Sequence, residues 1–257
     1  MAYFPYIKRP GAPKILVILH QATSTPGRVG MELQNLGYEL EPRRPPLGDQ
    51  LPETMEGYAG AIIFGGPMSA NDNDEYVSRE TDWIGVPMKE DKPFLGICLG
   101  AQMLSRHLGG CVMPNEREFA EVGYYPISPT DAGREIIEEW PGMIYQWHRE
   151  GFSLPSGCEL LASSPEYENQ AIRCGKHIYG LQFHTELTYM MLNRWTIKGA
   201  GRFSLYGAQN RAEQMAGRLL YDAPVLKWMK KFLYQWVGPA EFHALNRCPP
   251  GSIKEKA

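Results

Sequence analysis

Long hydrophobic runs are missing from this sequence. The longest unbroken apolar stretches, such as Ile15–Leu19, fall far short of the roughly 20 residues that a membrane-spanning helix needs. An excess of charge is missing as well, with 26 Lys and Arg against 29 Asp and Glu and a formal net charge of −3. That removes the basic footprint of a nucleic-acid-binding surface and the acidic block of a disordered tail. Cysteine is sparse and unpatterned. Cys98, Cys111, Cys158, Cys174 and Cys248 are odd in number, widely spaced and without a C-x-x-C pair. The pattern argues against a disulfide framework and against a zinc site, so each is read as a free thiol. The opening residues, MAYFPYIKRPGAPK, lack the charged, apolar and small-residue order of a signal peptide. A cytoplasmic chain is expected, with no metal, no cofactor and neither nucleic acid nor membrane as a partner.

What is present suits a globular protein that buries a full core: 257 residues, 43% hydrophobic and 21% charged. KILVILH (Lys14–His20) is a β-branched run and reads as a first strand, and GRVGMELQNLG carries helical apolar spacing at Val29, Leu33 and Leu36. EPRRPPLGDQLPE, rich in proline, reads as loop. YAGAIIFGG and KPFLGIC are further buried strands, separated by the helical DEYVSRETDWIGVPMKE and followed by the helical LGAQMLSRHLGG. Apolar runs without alternation, separated by helices, indicate a parallel sheet covered on both faces. From Cys111 to His184 short strands crowd together, and some should pair antiparallel at one edge. After Glu186 the chain reads as helical to about Val237. The expectation is one three-layer α/β domain over residues 1–237, mostly parallel, with a helical extension over 187–237 and a polar tail over 238–257.

Three short stretches carry chemistry. GICLG (Gly96–Gly100) has the form G-x-C-x-G at a strand end, the thiol counterpart of the strained strand-to-helix elbow that lifts a nucleophile out of a sheet. Bulkier residues at 96 and 100 would collide with the turn, and a helix N-terminus beside Cys98 favours a thiolate. From the pentapeptide alone, a structural cysteine in a glycine-containing turn reads equally well. GLQFHTE places His184 at the end of an apolar run with Glu186 two residues on, a spacing that can put base and carboxylate on one side. A cysteine nucleophile needs a base, and the base needs a group to fix its tautomer. FGGPMS (Phe64–Ser69) supplies paired glycines after another strand, whose backbone N–H groups, with that of Leu99, suit an oxyanion.

In this order and spacing, GICLGAQ, GLQFHTE and FGGPMS resemble the class I glutamine amidotransferases, and most of all stand-alone proteins similar to the amidotransferase domain of GMP synthase. The resemblance covers roughly residues 14–190. It implies a flavodoxin-like sheet and hydrolysis of the glutamine side-chain amide. It also implies a Cys98–His184–Glu186 triad, with Gly66 and Leu99 as oxyanion donors. Gln102 matches the glutamine that contacts substrate, and its place one helical turn after Cys98 puts it on the same face. Gly65, Gly123 and Tyr124 are further substrate-binding candidates. His148 is a candidate for a residue behind the site, or else a surface-loop histidine beside Trp147.

The chain departs from a complete amidotransferase in one respect. Neither a G-x-x-x-x-G-K-[ST] phosphate loop nor an S-G-G-x-D-S loop occurs in it. Either a separate synthetase subunit takes the ammonia, or the chain is a free-standing hydrolase of a γ-glutamyl compound. A non-catalytic redox-sensing module is the remaining alternative. APVLKWMKKFLYQW has apolar residues at Val225, Met229, Phe232 and Trp236 and reads as a helix packed on the sheet or at a dimer contact. NDNDE (Asn71–Glu75) lacks the glycine and terminal glutamate of a calcium loop and reads as helix capping by Asn71 or Asp72.

Overall fold

The computed structural model describes residues 4–240. The first half of the chain alternates: β1 (Lys14–Ile18), α1 (Gly27–Asn35), β2 (Glu39–Arg43), β3 (Tyr58–Ile63), α2 (Glu75–Trp83), α3 (Gly85–Lys89), β4 (Phe94–Ile97) and α4 (Leu99–His107). Short strands follow: β5 (Val112–Pro114), β6 (Glu121–Pro126), β7 (Ser128–Pro129), then α5 (Asp131–Ile136), β8 (Met143–His148) and β9 (Glu150–Phe152). The chain closes with β10 (Cys158–Ser163), β11 (Ala171–Cys174), β12 (Ile178–Leu181), α6 (Tyr189–Lys198) and α7 (Arg211–Val237).

Eight strands form the central sheet in the order β2-β1-β3-β4-β12-β11-β10-β7. β2 to β12 run parallel, and β12 to β7 pair antiparallel, as the crowded strand candidates suggested. The first five strands have the flavodoxin-like order, in which ligands bind beyond the C-terminal strand ends. β1 shows why its run is unbroken. Ile15, Val17 and Leu19 pack into one core with Val29, Leu33, Trp228 and Phe232 from α1 and α7. Leu16 and Ile18 pack into a second core with Val77, Leu99 and Met103 from α2 and α4. With helices on both faces, period-two alternation carries no polar side.

Several readings need correction. Glu41, Pro42 and Arg43, read as loop, belong to β2, the edge strand, where proline's missing N–H costs no ladder bond. α2 is capped at Asp74 without a side-chain bond, and Asp72 instead accepts from the Ser69 N–H at 2.9 Å. Cys158 and Cys174 are not free thiols. They face each other across β10 and β11 with Cα atoms 4.3 Å apart and form a disulfide. The polar tail begins by folding back: Ala240 is buried and donates its N–H to the Leu36 carbonyl at 2.8 Å. The rest of it, with Cys248, lies outside the described residues. The apolar face of α7 packs on the sheet, and Arg28 of α1 grips Asp222 of α7 through two bonds of 2.6 Å. Among the described residues no helix is long and apolar enough to cross a membrane.

Candidate active site

Cys98 stands between β4 and α4 at φ 52°, ψ −105°, a backbone conformation that L-residues rarely adopt. Strain of this kind persists only where the surroundings over-determine it. Here the Cys98 N–H donates to the Leu181 carbonyl at 2.7 Å, and the Cys98 carbonyl accepts from Ala101 and Gln102 as α4 begins. Glycine is required on both sides. A methyl group on Gly96 would stand 2.4 Å from the Gly100 carbonyl, as the turn requires. One on Gly100 would stand 2.2 Å from the Ile63 carbonyl, so that clash is with neighbouring strand β3.

His184 and Glu186 follow β12, the strand beside β4. The His184 Nδ1–H donates to Glu186 Oε1 at 2.7 Å, and both side chains are buried. Nε2 is buried without a hydrogen-bond partner, on the side of the ring that faces the Cys98 thiol. Burial works to lower the imidazole pKa, but the Glu186 carboxylate and the Cys98 sulfur outweigh it and raise the value to about 10. The segment is held from outside as well. The His184 N–H donates to the Tyr145 carbonyl, the Arg28 N–H donates to the Glu186 carbonyl, each at 2.9 Å, and the Trp195 ring lies edge-on to the imidazole.

The glycine loop after β3 closes the third side. A methyl group on Gly65 would stand 3.0 Å from His184 Cε1 and 3.8 Å from Cys98 Sγ, and one on Gly66 would stand 3.0 Å from Leu99 Cδ2. Among the described residues, neither the Gly66 N–H nor the Leu99 N–H donates to another protein group. Two cavities meet at Cys98. The larger, about 260 Å³, runs past His184 to α6, and the smaller, about 60 Å³, runs past Leu99 and Gln102.

Residues 30–192 match the family model for glutamine amidotransferase class-I. The chain belongs to that family. It is 28% identical over 184 residues to the glutamine amidotransferase-like protein YfeJ of Salmonella typhimurium, covering 68% of this chain and 76% of that one. It is 30% identical over 172 residues to the glutamine-hydrolysing GMP synthase of Neisseria meningitidis, covering 62% of this chain and 31% of that one. The chain therefore spans about a third of the synthase's length. A solved glutamine amidotransferase from Thermotoga maritima superposes with a TM-score of 0.78 at 25% identity, covering 87% of this chain and 97% of that one.

The remaining candidates of this class I amidotransferase divide between the two cavities and the interior. Gln102 lines the smaller cavity. Its Nε2 donates to the Glu150 carbonyl at 2.9 Å and to Gln182 Oε1 at 3.2 Å, which leaves its own carbonyl oxygen free to accept. His148 lines the same cavity but is no surface-loop residue. It is buried in β8, donates from Nδ1 to the same Glu150 carbonyl at 2.9 Å and meets Glu121 through Nε2 at 3.0 Å. Gly123 and Tyr124 line neither cavity. The Tyr124 backbone is taken by Gln209, which accepts its N–H at 2.9 Å and donates to its carbonyl at 2.7 Å. Gly123 is glycine because a Cβ would stand 2.3 Å from Gln209 Oε1.

Sequence reasoning missed two groups. His20, at the end of the first strand run, is buried and pairs with Glu80 at 2.8 Å while its Nδ1 lies 3.2 Å from the Gly65 carbonyl. The signal that singled out His184, a histidine closing an apolar run, was present there too. Arg194 and Lys198 line the larger cavity at four-residue spacing, a signal that needs α6 to be placed before it reads as one face, and Arg202, in the turn after α6, lines both cavities.

Proposed function

We propose that this amidotransferase hydrolyses the side-chain amide of glutamine with Cys98 as nucleophile. The Cys98 thiolate attacks the amide carbon, and a sulfur–carbon bond forms. The Gly66 and Leu99 N–H groups receive the oxyanion. The His184 imidazolium gives its proton to the nitrogen, the carbon–nitrogen bond breaks, and ammonia leaves a γ-glutamyl thioester. Neutral His184 then takes a proton from water, whose oxygen attacks the thioester; the carbon–sulfur bond breaks, and glutamate leaves as the thiolate–imidazolium pair is restored. Glu186 holds the tautomer and balances the imidazolium.

The observation that carries this reading is the meeting of a left-handed Cys98 with a buried His184–Glu186 pair at adjacent strand ends. A redox sensor needs only the thiol. In the smaller cavity the free carbonyl of Gln102 suits the ammonium of the glutamyl head, and Arg149, which also lines it, suits the carboxylate. Ammonia release from glutamine by the purified chain, lost in Cys98→Ala, tests the reading. Ammonia release unchanged in Cys98→Ala, or none from the wild-type chain, would overturn it.

The second reading is a free-standing hydrolase of another γ-glutamyl amide. What favours it is the larger cavity, about 260 Å³, which also opens onto Cys98 and is more than ammonia needs. In the first reading a separate synthetase takes the ammonia, as the GMP synthase likeness suggests.

A further inference from the structure

The larger cavity has a charge that amide hydrolysis alone does not require. Arg194 and Lys198 on α6 and Arg202 just after it line the cavity together with Cys98 and His184. Spacing of four residues keeps Arg194 and Lys198 on one face of α6, and Arg202 follows in the short 3-10 turn after the helix ends. Among the described residues none of the three has a carboxylate within ion-pair distance. Glu186 is the one acidic residue in the lining, and it is engaged by His184. Arg194 reaches the Thr23 carbonyl at 2.6 Å, and the Arg202 guanidinium stands 5.9 Å over the Trp147 ring, so both side chains are positioned rather than splayed into solvent. Burial lowers the pKa of both arginines, and for Arg202 it outweighs the opposing pull of the Cys98 sulfur.

Partly desolvated cations without anions are costly in the empty site and gain most from an anionic ligand. Ammonia is neutral and small and makes no use of them. The glutamyl head is assigned above to Gln102 and Arg149, which line the smaller cavity and not the larger. An amide bond laid across the thiol therefore directs its amine half toward Arg194 and Lys198, which line the larger cavity alone, and past Arg202, which lines both.

We propose that the larger cavity is a leaving-group site for a carboxylate-bearing amine, so that the preferred substrate is a γ-glutamyl amide of an amino acid or peptide. The proposal rests on the nucleophile assignment above. The bonds are those already described, with the amine of the departing amino acid taking the His184 proton in place of ammonia. The thioester is hydrolysed by water as before, so no further reactant is needed.

The test compares kcat/KM of the full chain for γ-glutamylglycine, γ-glutamylglycinamide and glutamine. The first two differ only in the terminal charge. The charged dipeptide is expected to exceed its amide by about ten-fold or more, a difference that shrinks with salt. Arg202→Gln and Lys198→Gln should each reduce that ratio, and Arg202→Lys should restore part of it. Equal values for the two dipeptides, or a ratio unmoved by both neutral variants, would overturn the leaving-group site while leaving glutamine hydrolysis intact. Calorimetric binding to Cys98→Ala decides the matter without turnover. Tighter binding of γ-glutamylglycine than of its amide supports the site, and equal or absent binding of both rejects it. Loss of hydrolysis of all three compounds by the wild-type chain, beside selective binding, would reject the nucleophile assignment alone.

Discussion

His20 and Gly65 are joined by a hydrogen bond of 3.2 Å from the imidazole Nδ1–H to the backbone carbonyl. A carbonyl can only accept, so Nδ1 is the donor in this bond. The Gly65 carbonyl and the Gly66 N–H belong to one planar trans peptide and point in opposite directions. Holding the carbonyl on the His20 side therefore turns the N–H to the other side of the loop. Glu80, at 2.8 Å from Nε2 and fully buried, holds the ring in place. With the peptide held in this way before substrate arrives, the purified chain is expected to hydrolyse glutamine or a γ-glutamyl dipeptide without a second protein. His20→Ala should lower kcat by roughly ten- to a hundred-fold with KM little changed, because the loop peptide is then free to rotate. A mutant that keeps wild-type kcat would remove the role assigned to His20.

Of the cysteines in the described residues, Cys98 and Cys111 are free, and Cys111 is exposed while Cys98 is buried. Accessibility alone would make Cys111 the faster to alkylate. Cys98 is nevertheless expected to react first with iodoacetamide near neutral pH, because it combines a helix N-terminus with the His184 base. Peptide mapping after brief labelling reads the order, and faster labelling of Cys111 would count against an activated thiol. Cys98→Ser should abolish hydrolysis with the fold retained, as measured by circular dichroism.

The raised pKa of His184 sets an alkaline limit. The folded state holds this proton up to about pH 10, against an ordinary value of 6.5. Its contribution to stability is therefore complete below about pH 6.5 and is lost as pH rises through about 10. Catalysis needs the imidazolium to protonate the departing nitrogen, so kcat/KM should fall over the same alkaline range. Glu186→Gln removes the main charge that raises this pKa. It should shift the alkaline limb to lower pH and lower kcat more than it changes KM. A limb that stays in place would mean that another group titrates there.

The disulfide should matter for stability and not for chemistry. Cys174 lies opposite Ile178, at the N-terminal end of β12, whereas Cys98 and His184 lie beyond the C-terminal ends of β4 and β12. Closing a loop across a sequence separation of 16 residues contributes on the order of 3 kcal/mol in the chain-entropy account. Dithiothreitol should therefore lower the melting temperature by several degrees and leave kcat unchanged at temperatures where the protein stays folded. Loss of activity before loss of fold would contradict this.

The sequence was most legible where function compresses several demands into few residues. Gly96, Cys98 and Gly100 admit an elbow or a plain turn, and His184 with Glu186 at a second strand end tips the reading to the elbow, so the candidates were open to local reasoning. The disulfide was not, because Cys158 and Cys174 become neighbours only through the β10–β11 pairing, and an odd cysteine count argued the other way. Pro42 read as a loop residue because a proline's tolerance in a strand depends on whether that strand is an edge. Gly123 and Tyr124 sit where the family pattern puts a substrate contact, but the Gln209 amide, far along the chain, occupies the Tyr124 backbone. Contacts of this length leave no mark in a short motif.

The bond from Arg28 to Glu186 makes one amide into a clock. The Arg28 N–H reaches the Glu186 carbonyl at 2.9 Å, and Gly27 beside it has no room for a methyl group, which would stand 2.0 Å from that oxygen. The hydrogen on this nitrogen can exchange with solvent only when α1 and the His184–Glu186 segment part. Its exchange rate therefore times the opening of the triad segment separately from global unfolding, and does so at a residue that takes no part in the proposed chemistry.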